Sequence, residues 1–290
     1  MTDAKAPQIA ALVLTHNAPN ALARCVEAIG SQTQLPTELV VVDNASDPPV
    51  DAASLPSVDV PVRVLRSDTN LGPAGGWAIA LRNFLANECS HAWLMDDDIV
   101  PEPECLDRLW SAVSDTPSSA FAVPVSIQPD GEVGRWGSWC GFVIAREIVE
   151  QVGLPREEFF WWAEDTEYCH WRLPKAGYPL RFIEDAVVHH DAIRQGGDLP
   201  AWKYYYESRN MLYYHWHIMH RTGRYPRNAI RLVGRAMFRQ KEGRLRCLAA
   251  FGKGLFDGAF GRLGIRYPIV PLRERDLRAT PPGRGDAPSA

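Results

Sequence analysis

The sequence predicts an α/β fold, with a mostly parallel sheet flanked by helices and a helical appendage at the C-terminal end. Three observations lead there. Short apolar runs recur through the first hundred residues, each ends in polar residues, and stretches with helical spacing separate them. At 290 residues, 46% hydrophobic and 23% charged, the chain has material for one large core with an appendage.

Ile9–Leu14 reads as the first strand and ends in Thr15, His16 and Asn17; Asn20–Thr33 follows with Leu22, Val26 and Ile29 on one helical face. A second strand, Leu39–Val42, ends in Asp43 and Asn44. A third, Val62–Leu65, leads through Asp68 and Thr69 into Asn70-Leu71-Gly72-Pro73-Ala74-Gly75-Gly76. That glycine stretch reads as a loop, with a helix over Trp77–Ala86 and a fourth strand over Ala92–Met95. Alternating sheets of this kind bind ligands beyond the carboxyl ends of their strands. Asp43, the Asn70–Gly76 loop and Asp96–Asp98 all fall at that edge.

The chain is organised around Trp93-Leu94-Met95-Asp96-Asp97-Asp98-Ile99. Three consecutive carboxylates after an apolar run repel one another unless something positive sits among them. A divalent cation, Mg2+ or Mn2+, suits such hard oxygen ligands and is commonly shared with substrate phosphates; a solvated acidic turn is the plainer reading. The glycine loop lacks both the Gly-Lys-Ser/Thr of a P-loop and the G-x-G-x-x-G of a dinucleotide fold. A tight turn and a close backbone approach to a ligand both account for it. Asp43 alone is either a turn residue or a ligand.

Beyond the triplet, Pro101–Val113 reads as a helix and Val123–Val125 as a short strand before a turn at Pro129-Asp130-Gly131. Gly134–Gly141 interleaves glycines with Trp136 and Trp139 ahead of the apolar Phe142–Ala145, a pattern that fits either sugar stacking or a bulky core strand. Phe159–Trp162 sets aromatics directly before Glu164 and Asp165. Either carboxylate can cap the helix expected to run to Lys175, and a carboxylate among aromatics is also a partly desolvated general base. Leu180–Ile183 and Ala186–Val188 bracket a turn and lead into His189 and His190, one of which can complete a metal site.

Charge divides the chain. Residues 1–200 carry 13 Lys and Arg against 29 Asp and Glu, a net of −16, whereas residues 201–290 carry 18 against 6, a net of +12. In the basic part, Arg227, Arg231, Arg235 and Arg239 recur every fourth residue; His215, His217 and His220 can be read as metal ligands, but the aromatic setting with Tyr204–Tyr206 and Trp216 and the absence of nearby Cys favour a packed helix. Gly252, Gly254, Gly258 and Gly261 argue against one long regular helix after it. This region suits peripheral contact with an anionic membrane, or a solvated Arg face packed on the acidic front. It carries no nucleic-acid recognition motif. Residues 279–290 are Pro-, Gly- and small-residue-rich and read as disordered. The six cysteines lack C-x-x-C spacing, so they suggest neither a zinc site nor a disulfide framework and fit reduced thiols. With neither a signal peptide nor a transmembrane run, the expectation is a cytoplasmic protein, peripheral at most at the inner face of the membrane.

Taken in order, these pieces resemble family 2 glycosyltransferases of the GT-A fold, a Rossmann-like α/β sheet. The resemblance spans roughly residues 8–215. It comprises Thr15-His16-Asn17, Val41-Val42-Asp43-Asn44, Asn70-Leu71-Gly72 with Gly75-Gly76, Asp96-Asp97-Asp98, Glu164-Asp165, Arg172 with Gly177-Tyr178, Val187-Val188-His189-His190 and Arg209-Asn210. The loop and the triplet strand look most like the galactofuranosyltransferases, and rhamnosyltransferases share the later motifs. Pro73 departs from the glycine common in that branch.

The resemblance implies an inverting, metal-dependent transfer from a nucleotide-sugar donor to a glycan or lipid-linked acceptor in cell-envelope polysaccharide synthesis. The favoured donor is UDP-galactofuranose, with dTDP-rhamnose as the alternative. It implies that Thr15, Asn17, Asp43, Asn70, Gly72, Gly75, Gly76 and Asp97 line the donor. Asp96, Asp98 and His190, ahead of His189, hold Mn2+ or Mg2+, and Asp165 is the base. Trp136, Trp139, Trp161, Trp162 and Glu164 meet the acceptor. The domains expected are a catalytic domain over 1–200 and a basic helical region over 201–278. A nucleotidyltransferase is disfavoured by Thr15–Pro19, where an Arg- or Lys-bearing glycine loop belongs; a non-catalytic sugar-nucleotide- or glycan-binding protein is the third reading.

Overall fold

Apolar residues on both faces make Ile9–Thr15 (β1) an interior strand, buried along its whole length. In the computed structural model, which describes residues 8–114, 121–135, 137–191, 198–221 and 225–269, three further strands extend the sheet around it. Glu38–Asn44 (β2), Val62–Ser67 (β3) and His91–Asp96 (β4) give the parallel order β3-β2-β1-β4. Strand alternation sends Ile9, Ala11 and Val13 to one core and Ala10, Leu12 and Leu14 to the other. The first core is closed by the helix Pro19–Gly30 (α1), which buries Leu22, Cys25, Val26 and Ile29 and has Pro19 in its first turn. The second is closed by Gly72–Leu85 (α2) through Trp77, Leu81 and Phe84.

α2 corrects the sequence reading. The stretch expected to be a loop is helical from Gly72, so Gly75 and Gly76 lie inside the helix and Pro73 sits in its first turn, where a missing N–H costs no bond. The far end is held by Arg146, whose guanidinium donates to the carbonyls of Phe84, Leu85, Asn87 and Cys89 at 2.7–3.0 Å.

The other half of the sheet is mixed. It comprises Ile99–Pro101 (β5), Phe121–Ile127 (β6), Val133–Gly134 (β7), Cys140–Ala145 (β8) and Leu180–His190 (β9). β8 runs antiparallel to β4 and β6, β9 parallel to β6, β5 antiparallel to β9, and β7 pairs with β6. The helix expected from Pro101 is shorter, Cys105–Ser114 (α3), because β5 occupies the preceding residues. The two runs expected around a turn form the single strand β9, which absorbs a register shift against Pro124 and Val125. Arg146–Val152 (α4) follows β8. The segment expected to be one helix is Glu164–Glu167 (α5), a wide π turn over Tyr168–Arg172, and Leu173–Lys175 (α6).

The chain divides into two compact units, Met1–Ile193 and Arg194–Ala290. The second contains Ala201–Tyr213 (α7) continuing into a π turn over Tyr214–Ile218, Tyr225–Gly234 (α8) with a π turn over Arg235–Arg239, and Arg244–Ala259 (α9). α9 is one regular helix despite its glycines. A Cβ on Gly254 would lie 2.0 Å from Ser208 Oγ, and one on Gly258 would lie 2.5 Å from the Arg209 carbonyl, so both permit α9 to lie directly against α7. Arg209 is fully buried, 5.5 and 4.7 Å from the ring centres of Tyr205 and Tyr206. Among the described residues no helix is long and apolar enough to cross a membrane. The tail 279–290, read above as disordered, lies outside the described residues. All six cysteines are reduced and buried.

Candidate active site

The backbone fixes the acidic triplet at the carboxyl edge of the sheet. The Asp96 N–H donates to the Trp139 carbonyl (2.8 Å) and the Asp97 N–H to the Leu14 carbonyl (3.2 Å), so the chain leaves β4 beside the end of β1. There the Thr15 hydroxyl donates to Asp97 Oδ2 at 2.6 Å. Register chooses between the two histidines: His190 pairs with Ile99 and brings Nε2 to 3.5 Å from Asp98 Oδ2, while His189 meets Glu102 at 3.1 Å.

Neighbouring strand ends supply a rigid polar frame. Asn44 Oδ1 accepts from the Leu71 N–H (2.9 Å) and its amide donates to the Gly72 carbonyl (3.0 Å), tying β2 to the start of α2. Asn70 Oδ1 accepts from the Gly72 N–H at 2.8 Å, and Asn17 Oδ1 from the Asp47 N–H at 2.7 Å. Asp43 is fully buried and accepts from the Ser46 N–H (2.8 Å), the Val50 N–H (3.1 Å) and Arg66. Desolvation raises its pKa, but those hydrogen bonds prevail and leave it below the ordinary carboxylate value. Gly72, Gly75 and Gly76 make close approaches to protein: a Cβ would lie 1.9 Å from the Phe160 carbonyl, 2.5 Å from Leu71 and 2.4 Å from Leu14, respectively. Each of these glycines therefore has a packing reason for lacking a side chain.

Opposite the triplet lies a strained turn. Phe160, Trp162 and Ala163 all have positive φ, at 63°, 76° and 70°, in a conformation L-residues avoid, and α5 begins immediately afterwards with Glu164 and Asp165. Asp165 Oδ1 accepts from the Thr166 N–H (2.6 Å) and hydroxyl (3.1 Å). After the turn, Arg172 pairs with Glu167 of α5 and donates to the Leu154 carbonyl at 2.6 Å.

Five carboxylates from the two segments converge. Desolvation, then repulsion from Asp98, Asp97, Glu164 and Asp165, pushes Asp96 well up. Asp97 rises to about 6 through desolvation, partly offset by the Thr15 hydroxyl. Glu164 rises to about 8, from desolvation first and Asp165 second. Among the described residues, its buried Oε2 and the Trp139 indole N–H lack hydrogen-bond partners, although the indole is close enough to favour the charged carboxylate. Asp165 is raised by desolvation against the hydrogen bonds of Thr166 and the opposing charge of His170. Thr166 and His170 were not singled out from sequence. Neither carries a motif, and the π turn that holds His170 is not visible in residue spacing.

The donor set is hard oxygen plus one imidazole, with like charges gathered and, among the described residues, no Lys or Arg paired to Asp96, Asp97 or Asp98. Its chemistry fits a divalent cation. Among the described residues no group of three or more His, Cys, Asp or Glu is already drawn into a metal-binding cluster; Asp98 and His190 are the pair in contact.

The tryptophans separate into two kinds. Trp139 is 2% exposed, stacked on Trp77 (4.8 Å) and Tyr168 (5.9 Å), so its expected role in acceptor stacking is corrected to a core role. Trp161 and Trp162 lie against each other at 5.1 Å, and Trp162 is 39% exposed beside Glu164. Trp136 lies outside the described residues.

The model of the family described as glycosyl transferase family 2 matches residues 11–172. The chain is 40% identical over 204 residues to galactofuranosyltransferase GlfT1 of Mycolicibacterium smegmatis (strain ATCC 700084 / mc(2)155), covering 59% of this chain and 67% of that one. It is 39% identical over 90 residues to GlfT1 of Mycobacterium tuberculosis (strain ATCC 25618 / H37Rv), covering 30% and 29%. Among solved structures, the mannosyltransferase PcManGT from Pyrobaculum calidifontis, in complex with GDP-Man and Mn2+, superposes with a TM-score of 0.56 at 16% identity over 88% of this chain and 75% of that one. S. aureus TarS 1-349 in complex with UDP-GlcNAc gives 0.55 at 14% identity over 85% and 80%. At those identities the structures share the fold, whereas the family match rests on sequence. The chain belongs to glycosyltransferase family 2 and is a glycosyltransferase built on a GT-A-like α/β sheet.

Proposed function

We propose that this glycosyltransferase moves galactofuranose from UDP-galactofuranose to a hydroxyl of a glycan or lipid-linked acceptor in cell-envelope polysaccharide synthesis, with inversion at the anomeric carbon. The observation that carries the reading is the convergence of Asp96–Asp98 with Glu164–Asp165 at the carboxyl edge of the sheet. The choice of sugar is supported by the 40% identity to a galactofuranosyltransferase.

Asp96, Asp98 and His190 would hold a divalent cation, which when bound neutralises charge developing on a diphosphate leaving group. Thr15 fixes Asp97 toward the donor, and Asn17, Asn44 and Asn70 hold the loops along which the nucleotide lies. Asp165 accepts the proton of the acceptor hydroxyl as that oxygen bonds to the anomeric carbon. The bond from that carbon to the diphosphate oxygen breaks, and its electron pair leaves with the nucleotide. Trp161 and Trp162 offer flat faces to the acceptor sugar.

Calorimetry with UDP-galactofuranose and dTDP-rhamnose in the presence of Mn2+ tests this, with Asp96→Ala/Asp98→Ala as control. The expected result is UDP-galactofuranose binding that the control loses. Preference for dTDP-rhamnose would replace the donor, and no nucleotide-sugar binding with any divalent metal would reject the catalytic reading.

A further inference from the structure

The C-terminal unit presents a basic apolar tip for which the transfer chemistry has no use. The π turn Arg235–Arg239 leads through Gln240–Gly243 into α9, and this connection is firmly built. Buried Gln240 exchanges hydrogen bonds with the Leu199 N–H (3.1 Å) and carbonyl (3.0 Å). Asp198 accepts from the Lys241 and Glu242 N–H groups at 2.7 and 2.8 Å. On that support Phe238 is 81% exposed and Leu245 83% exposed, with Met237 and Ile230 also largely in solvent. Two large apolar side chains held outward by a rigid connection are an unfavourable use of surface unless something covers them.

Charge identifies what covers them. Residues 225–246 hold seven Lys and Arg and one acid, Glu242, in a chain whose net charge is −4. Among the described residues, the ion pairs of this unit engage Arg231, Lys253 and Arg262, so Arg239, Lys241 and Arg246 keep their charge for a partner. Arg231, Gly234, Arg235 and Arg239 line an open groove of about 360 Å3, wide enough for a phosphate headgroup. Guanidinium groups around a groove, beside a phenylalanine and a leucine that project into solvent, match a surface whose phosphates lie above an apolar layer. We propose that the tip Met237–Arg246 docks the enzyme on an anionic lipid bilayer. Phe238 and Leu245 enter the headgroup–acyl boundary, and Arg235, Arg239, Lys241 and Arg246 meet the lipid phosphates.

The test is flotation of the full chain with vesicles of phosphatidylglycerol and phosphatidylcholine, against phosphatidylcholine alone, at low and high salt. The expected result is flotation with the anionic vesicles that weakens with salt. Phe238→Ser/Leu245→Ser should reduce it by at least about tenfold. Circular dichroism and the melting temperature of that variant should be unchanged, because both side chains lie in solvent. Arg239→Gln/Lys241→Gln should weaken binding and flatten its salt dependence. Absence of flotation at low salt, or flotation of the Phe238/Leu245 variant equal to wild type, would overturn the proposal. So would a homodimer in light scattering that the same variant abolishes without any vesicle binding, which would assign the tip to a second copy of the chain.

Discussion

Glu164 and Asp257 are almost equally buried, yet burial leaves them in opposite protonation regimes. Around Asp257, in the C-terminal unit, the Tyr205 hydroxyl (2.7 Å) and the Lys253 ammonium (2.9 Å) supply what water would have, and its pKa falls below the ordinary value although desolvation alone would raise it. Around Glu164 desolvation acts first and the Asp165 carboxylate adds to it, and its pKa climbs to about 8. The difference lies in what accompanies burial: a buried acid beside a hydroxyl and an ammonium stays charged and holds the fold together, and one set beside another carboxylate holds stored repulsion for a cation, a proton or a substrate to relieve.

The comparison breaks hardest at Asp165. Asp165→Asn should lower turnover by about 10²–10⁴-fold while donor affinity measured by calorimetry stays at the wild-type value. Full turnover would remove Asp165 from the role of base. In the other region, Asp257→Asn should leave turnover unchanged and cost about 1.5–3 kcal/mol in urea unfolding, because the Tyr205 hydroxyl and Lys253 lose a charged acceptor. Gly254→Ala probes the same unit without changing charge. Its methyl would sit 2.0 Å from Ser208 Oγ and should cost about 1–3 kcal/mol, read as an earlier urea midpoint.

The smallest effect sharpens the comparison through pH. A carboxyl whose folded pKa is raised contributes its stability below the unfolded value and loses it as pH climbs through the folded one. Glu164 should therefore make the metal-free protein melt a few degrees lower as pH rises from about 4.5 toward about 8. Glu164→Gln should flatten that slope. Asp257 runs the other way: its contribution is present above its ordinary pKa near 3.8 and is lost as the solution is made more acid.

Much of the first half of the fold was legible because its strands are buried on both faces, so that Ile9–Leu14, Leu39–Val42 and Ala92–Met95 stand out as apolar runs with polar ends. Asp43 and Asp96–Asp98 were legible for the same reason, since their positions follow from where those strands stop, whereas Glu164 and Asp165 begin α5 and stood out only through the aromatics before them. Glycine was misread in both units. At Gly72–Gly76 it signalled a loop, and in α9 it signalled a broken helix, whereas Gly72 and Gly76 serve close approaches to Phe160 and Leu14, and Gly254 and Gly258 to Ser208 and Arg209. Trp139 failed for a related reason: a tryptophan among glycines looks available for stacking until Trp77 and Tyr168 are known to flank it. Local pattern reports what a residue permits, and only the tertiary neighbours decide which permission is used.

The six buried thiols give the molecule a built-in clock for its own opening. Burial pushes Cys89 and Cys247 up to about 11, so at neutral pH both are shielded sterically and present as inert thiols rather than thiolates. Cys247 alone lies in the C-terminal unit, and the other five lie in the N-terminal one. An alkylating reagent therefore reads each unit separately by mass: modification of Cys247 dates the opening of α9, and modification of the others dates the opening of the N-terminal unit.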